Sequence, residues 1–282
     1  MTGPWQAWIA GLLKALAWGV GIYAGFCLAA FLAQRRLMYF PDRSMEPEAL
    51  QRAARMGLIP WRDGTGNLLG WRRPMVRPGA VRILVLHGNA GDAIGRVDYL
   101  PMLEAAGFEG VLLEYPGYGP RDGVRSETSL VADARAALRR LKEEATSPVI
   151  LLGESLGSGV AVQVAAAEPG SVAGLLLPVP FARMTEVAAH HYPFLPMSLL
   201  LRDRWDSLGA VRGYTGPVAI LVAGRDEVVG PGQGRRLAQA CPGPVQVWEV
   251  PRAAHNELPR GPGRPPWSEA LAFLRDRAEM GQ

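Results

Sequence analysis

The stretch Pro148-Val149-Ile150-Leu151-Leu152-Gly153-Glu154-Ser155-Leu156-Gly157 decides the fold. An apolar run leads into the pattern G-x-S-x-G, and a small-residue stretch follows from 159 to 167. A serine carried on a sharp strand-to-helix turn needs glycine on both sides. The backbone is strained there, and the helix packs too close to the strand for a Cβ. The pentapeptide alone arises by chance in many chains, but this placement makes it informative. The spacing predicts a strand over 149–152, a helix over 155–168 and Ser155 at the turn between them.

Working outward, near-continuously apolar runs recur at 82–86, 110–115, 174–177, 218–223 and 245–250. Such runs suit strands covered on both faces. Helix-forming composition fills 126–145, 232–240 and 267–278. Residues 57–62 and 68–73 flank Asp63-Gly64-Thr65-Gly66, which reads as a hairpin turn. Strands alternating with helices imply a mostly parallel, doubly wound α/β sheet. Residues 180–215 break the alternation with the aromatic, proline-punctuated His190-His191-Tyr192-Pro193-Phe194-Leu195-Pro196-Met197. This insertion has two readings, a cover over the active-site edge or a structural helix pair packed on the sheet.

A serine nucleophile needs a base, and the base needs an acid to orient it. On this architecture the chain order is Ser, then Asp or Glu, then His. Only His190, His191 and His255 lie downstream of Ser155. His255 follows the 245–250 run, and Asp226 follows 218–223 through Gly224. Both therefore sit on loops at the carboxyl edge of the sheet, where open α/β sheets bind ligands. Asp203, Asp206 and Glu227 are weaker acids, because none directly follows a strand with a glycine-rich turn.

Two backbone N–H groups are expected to hold an oxyanion. One belongs to Leu156, directly after the serine, and the other to the loop His87-Gly88-Asn89-Ala90-Gly91, at Asn89 or else Ala90. His87 is expected to hold that loop rather than transfer protons. Tyr115-Pro116-Gly117-Tyr118-Gly119 has the wrong glycine spacing for a dinucleotide fingerprint, and Pro120 removes an N–H. No cofactor is expected, and without a Cys/His cluster no metal is expected either.

At 282 residues, 49% of them hydrophobic, the chain can bury one large core. Its N-terminus is another matter. Residues 15–33 form an uncharged apolar run, extendable to residue 9 if Lys14 snorkels, and nineteen residues cross a hydrocarbon core of about 30 Å. The run exceeds a usual signal-peptide core, and Arg35-Arg36 follow without a small-x-small cleavage site. The expected organisation is an anchor at 9–33 and one domain at 34–282. Ten arginines against four acids lie between 34 and 82, whereas residues 83–282 carry 19 basic and 22 acidic groups. The basic excess is thus juxtamembrane. It favours a cytoplasmic domain by the positive-inside rule and suits an anionic leaflet. With no aromatic-interleaved basic motif, a nucleic-acid partner is not expected. Cys27 and Cys241 are too differently placed to suggest a disulfide.

The stretches L-H-G-N-A-G-D (86–92), E-Y-P-G-Y-G (114–119), G-E-S-L-G-S-G (153–159), P-F-A-R-M (180–184), G-R-D-E-V-V (224–229) and A-H-N-E (254–257) resemble the α/β-hydrolase superfamily. Within it, the chain is similar to the membrane-anchored serine-hydrolase branch of protein depalmitoylases and monoacylglycerol-lipase-like enzymes. The resemblance implies an α/β-hydrolase fold with Ser155, Asp226 and His255 as triad. It departs from the branch at Pro120-Arg121-Asp122-Gly123, where a serine-glycine turn is usual, and at Gly230, where proline is usual. The expected substrate is an ester or thioester of a lipophilic acyl group, free or on a protein. A serine peptidase or acyltransferase uses the same triad, and a non-catalytic binding scaffold is the rival of another class.

Overall fold

In the computed structural model, which describes residues 4–74, 79–144, 148–168 and 170–280, the chain begins with one long helix, α1 (Pro4–Met38). A two-residue strand, β1 (Phe40–Pro41), and helix α2 (Glu46–Arg55) lead to β2 (Ile59–Arg62) and β3 (Leu68–Arg72). Next come β4 (Arg82–Leu86), β5 (Ala90–Gly91), α3 (Tyr99–Ala105), β6 (Glu109–Leu113), α4 (Glu127–Glu144), β7 (Val149–Gly153) and α5 (Leu156–Ala167). After β8 (Gly174–Pro178) stand three short helices, α6 (Met184–His191), α7 (Met197–Leu200) and α8 (Ser207–Val211). The order closes with β9 (Val218–Ala223), α9 (Pro231–Ala240), β10 (Val245–Val250) and α10 (Trp267–Met280).

Eight strands form one sheet in the order β10-β9-β8-β7-β4-β6-β3-β2. Strands β2 and β3 pair antiparallel, as does β3 with β6, and the remaining pairs are parallel. The expected α/β sheet is therefore present, and its six apolar runs become strands within one or two residues of the expected bounds. The Asp63 turn joins β2 to β3, with the Asp63 carboxylate accepting from the main-chain N–H groups of Thr65 and Asn67 at 2.9 Å each.

Side-chain alternation divides the core by sheet face. Leu84 and Leu86 pack with Leu138 of α4, Val160 of α5 and Leu237 of α9. Ile83 and Val85 pack with Leu100 of α3 and Leu271 of α10. Each such side chain contributes about 1.5–3 kcal/mol by leaving water, so truncating Leu84 to alanine should cost about 2–5 kcal/mol. Strand β10 departs from the expectation of cover on both faces. It is an edge strand, and Val245 and Val247 are 37% and 39% exposed.

Helix α1 extends past the expected 9–33 span at both ends. Residues Trp8–Met38 are long and apolar enough to cross a membrane, about 46 Å at 1.5 Å per residue. Its last turns dock on the domain. Gln34 donates through Nε2 to the Leu200 carbonyl oxygen at 3.1 Å and accepts from the Arg202 N–H at 2.7 Å. The Arg35 guanidinium grips both oxygens of buried Asp203 at 3.1 and 3.2 Å, and the Tyr39 hydroxyl donates to the same carboxylate at 2.9 Å. The 180–215 segment holds the three short helices α6, α7 and α8 joined by irregular turns, and an isolated bridge pairs Arg183 with Asp206.

Candidate active site

Strand β7 ends at Gly153, and α5 starts at Leu156, leaving Glu154 and Ser155 to turn the chain. Ser155 adopts φ +51°, a left-handed conformation that costs a non-glycine residue about 1–3 kcal/mol. The surroundings hold it there. Its N–H donates to the Pro178 carbonyl oxygen at 3.1 Å, and its own carbonyl accepts from the Ser158 N–H at 2.9 Å and the Ser158 hydroxyl at 2.6 Å. A Cβ on Gly153 would collide with the main chain of Gly157, and one on Gly157 with the carbonyls of Leu86 and His87. The flanking glycines are therefore required by close approach. Buried Glu154 clamps the turn from below, accepting from Arg96 Nε at 2.7 Å and the Tyr99 hydroxyl at 3.1 Å. Burial opposes its charge, but Arg96 and Arg260 outweigh that and hold its carboxyl below the usual range.

His255 and Asp226 arrive on adjacent loops after β10 and β9. The Arg225 N–H donates to the Ala253 carbonyl at 2.9 Å, and a Cβ on Gly224 would lie 2.6 Å from the Pro251 carbonyl oxygen, so the loops are locked together. His255 Nε2 lies 3.0 Å from Ser155 Oγ, and its Nδ1 lies 2.7 Å from Asp226 Oδ2. The other carboxylate oxygen of Asp226 accepts from the Val228 and Val229 N–H groups, both at 2.9 Å. Burial works against ionisation of Asp226, yet the bond from His255 and the two backbone donors hold its carboxyl below the usual range. The arrangement lets Nδ1–H point at a carboxylate while Nε2 accepts from the serine hydroxyl. It can remove the proton from Ser155 and stabilise the imidazolium that results.

The expected oxyanion positions converge on the same place. Leu156 is the first residue of α5, where helix amides have no intrahelical partner. Asn89 lines the cavity at Ser155, whereas Ala90 is drawn into the β1–β5 ladder opposite Phe40. A Cβ on Gly88 would sit 3.7 Å from Ser155 Cβ, so this loop passes directly over the serine. His87 is fully buried beneath it, its Nδ1 2.8 Å from the Gly88 carbonyl oxygen. Desolvation, aided by Arg96, pushes its pKa down to about 3, so it is neutral and cannot serve as a charged partner.

The other candidates lie elsewhere. Asp203 holds Arg35 and Tyr39. Asp206 caps α8 by accepting from the Gly209 N–H at 3.0 Å and pairs with Arg183. Glu227 and His190 are exposed. His191 Nε2 lies 2.7 Å from the Val228 carbonyl oxygen and ties α6 to the Asp226 loop. Among the described residues no group of three or more His, Cys, Asp or Glu side chains gathers as a metal site.

A cavity of about 410 Å³ opens at Ser155. Met184 and Val187 of α6, Leu195 and Met197 form much of its apolar wall, with Ala30, Gln34 and Leu37 contributed by α1. The contribution from α1 was not legible in the sequence, since no local pattern records which face of an apolar helix meets a loop some 170 residues away.

Comparison with known proteins agrees with the fold. Residues 79–210 match the family model described as serine aminopeptidase, S33. Rv2307c, an uncharacterized protein of Mycobacterium tuberculosis, is 34% identical over 267 residues, covering 93% of this chain and 94% of that one. The lysophosphatidylserine lipase ABHD12 of Xenopus tropicalis is 32% identical over 151 residues, covering 50% of this chain and 37% of that one. In fold, the Pyrococcus furiosus esterase Pf2001 superposes with a TM-score of 0.62 at 16% identity, over 86% of this chain and 98% of that chain. The chain belongs to the α/β-hydrolase superfamily, in the branch that includes the ABHD proteins.

Proposed function

We propose that the protein is a membrane-tethered serine hydrolase that cleaves an ester or thioester of a lipophilic acyl group. The observation that carries this reading is the continuous relay Ser155 Oγ, His255 Nε2, His255 Nδ1, Asp226 Oδ2 at the mouth of an apolar cavity. Ser155 Oγ attacks the carbonyl carbon as His255 Nε2 takes its proton. The tetrahedral oxyanion is held by the N–H groups of Leu156 and Asn89, where losing one donor costs about 3–4 kcal/mol. Collapse breaks the bond to the leaving oxygen or sulfur, which takes the proton from His255. Water, deprotonated by the same imidazole, then releases the acid and restores Ser155. An apolar wall favours an acyl chain over the polar backbone of a peptide, and the similarity to ABHD12, a lysophosphatidylserine lipase, points the same way.

Tethering rests on α1. Its helix continues without a break to Met38, and its end is fixed to the domain through Gln34 and Arg35, which suits a retained anchor rather than a cleaved leader. Arg35, Arg36 and Arg43 outweigh Lys14, a balance that favours the cytoplasmic side for the domain. A C-terminal reporter active only after export would overturn that orientation.

The enzymatic test is labelling of the full chain by a fluorophosphonate, with Ser155→Ala as control. Labelling of the wild type alone supports the reading. Absence of labelling in folded wild type would favour a binding scaffold.

A further inference from the structure

We infer that α1 is more than a tether: it is one wall of the acyl site. Together with residues 192–201 it frames a portal through which an acyl chain enters sideways from the bilayer. This deepens the hydrolase reading and rests on it.

Three observations converge. First, Ala30, Gln34 and Leu37 line the cavity that holds Ser155, together with Leu195 and Met197. A space at the lower end of ligand pockets, about 300–1,000 Å³, suits one chain. Second, the segment Tyr192-Pro193-Phe194-Leu195-Pro196-Met197-Ser198-Leu199-Leu200-Leu201 has no charged residue, and its tip climbs the anchor. The Tyr23 hydroxyl donates to the Phe194 carbonyl oxygen at 2.8 Å, eleven residues before Gln34 and so about 16 Å further along the helix. The tip therefore lies beside a part of α1 that is inside the hydrocarbon when the helix spans.

Third, the backbone of this segment is built for lipid. An amide or carbonyl without a partner is costly in hydrocarbon, where no water can replace it. Of the eight N–H groups in the segment, those of Tyr192, Leu195, Met197, Leu199, Leu200 and Leu201 donate within it or to α6, leaving Phe194 and Ser198, and Pro193 and Pro196 have no N–H to satisfy. Phe194 and Leu199 are 85% and 78% exposed, pointing away from the cavity. Arg202 closes the segment and stacks on Phe31 of α1 with its guanidinium carbon 4.0 Å from the ring centroid, a position suited to the headgroup boundary. Exposed apolar side chains flanking a spanning helix identify the bilayer as what covers them.

The test uses the full chain in phosphatidylcholine vesicles, comparing an oleoyl ester embedded in the bilayer with a water-soluble butyryl ester. Phe194→Glu combined with Leu199→Glu should lower the oleoyl-to-butyryl ratio of rates at least tenfold in vesicles. The ratio should recover when both substrates are presented in detergent. Ala30→Trp, which fills the cavity from the α1 side, should lower that ratio at least tenfold in vesicles and detergent alike. Fluorophosphonate labelling reports whether each variant is folded. If Ala30→Trp fails to label, the smaller Ala30→Leu carries the comparison, with at least a threefold fall expected. Unchanged ratios in active variants would overturn the portal while leaving the hydrolase intact. A wild type that labels but cleaves neither ester would instead overturn the substrate reading. Loss of the ratio in detergent for the double Glu variant would show a distorted cavity and likewise overturn the portal.

Discussion

The side-chain amide of Asn89 donates to the main-chain carbonyl oxygen of Met38 at 3.0 Å, so the end of α1 holds the loop that passes over Ser155. Two further bonds fix the same residue, since its carbonyl accepts from the Phe40 N–H at 2.9 Å and the Tyr118 hydroxyl at 2.8 Å. Asn89→Ala keeps the proposed oxyanion N–H but removes its tie to α1. Turnover of a soluble ester should fall about tenfold with little change in KM, because only transition-state binding is disturbed. Equal losses in both parameters, or none, would argue against a positioning role.

Replacing Ser155 or His255 with alanine should remove nearly all turnover, at least about 10³-fold, while leaving the circular dichroism spectrum intact. Asp226→Asn should cost up to about 10⁴-fold, because an amide favours the wrong imidazole tautomer. Asp203→Asn separates the assignments. It touches Arg35 and Tyr39 rather than a histidine, and steady-state kinetics should show less than a threefold loss. A larger loss there than at Asp226 would mean the acid is misassigned.

The strands and the serine turn were legible because each is written locally, in continuous apolar runs and in glycines that a close approach requires. Helix α2 was not, since it buries only Ala49 and Ala53 and carries Pro47 near its start. Helix α3 contains Pro101 and spans only Tyr99–Ala105. The exposure of β10 was invisible for a different reason. V-Q-V-W-E-V reads like an interior strand, and only the topology leaves it without a second neighbour. Likewise the pairing of Arg35 with Asp203 joins residues 168 apart, which neither charge run reveals. The candidate triad needed only order and position after strands, so it could be read where these contacts could not.

That docking pair should matter for stability. Asp203 is buried, and removing Arg35 leaves its carboxylate with the Tyr39 hydroxyl alone among the bonds described. Because the Arg35 side chain is 38% exposed, solvent moderates the loss, and Arg35→Ala should cost about 1–2 kcal/mol. The expected readout is a lower unfolding temperature in detergent and faster proteolysis between α1 and α2. The double variant Arg35→Ala with Asp203→Asn should recover part of the loss, since no buried charge then lacks its partner. No recovery would show that the pair contributes packing rather than charge.

The last prediction concerns pH and the floor of the loop below the site. Burial pushes the Glu114 pKa up to about 8 from an ordinary 4.5, with the neighbouring Asp92 charge adding to the effect. Its carboxyl accepts from the Ala93 N–H at 3.1 Å and lies 3.7 Å from His87 Nε2. His87 is held neutral down to about 3, so between pH 4.5 and 8 the contact joins two neutral groups and is not an ion pair. The folded state keeps the Glu114 proton up to about pH 8, while the unfolded chain releases it near 4.5. Stability therefore falls as pH rises through that window, by at most about 1.4 kcal/mol per unit, and levels off above it. His87 acts in the opposite sense, its contribution being complete above pH 6.5 and lost as pH falls toward 3. Between pH 6.5 and 8 only the glutamate of this pair changes protonation difference. Across that interval Glu114→Gln should flatten the decline in unfolding temperature seen for wild type, because an amide has no proton to lose. Parallel declines in the two proteins would show that Glu114 is ionised in the fold after all.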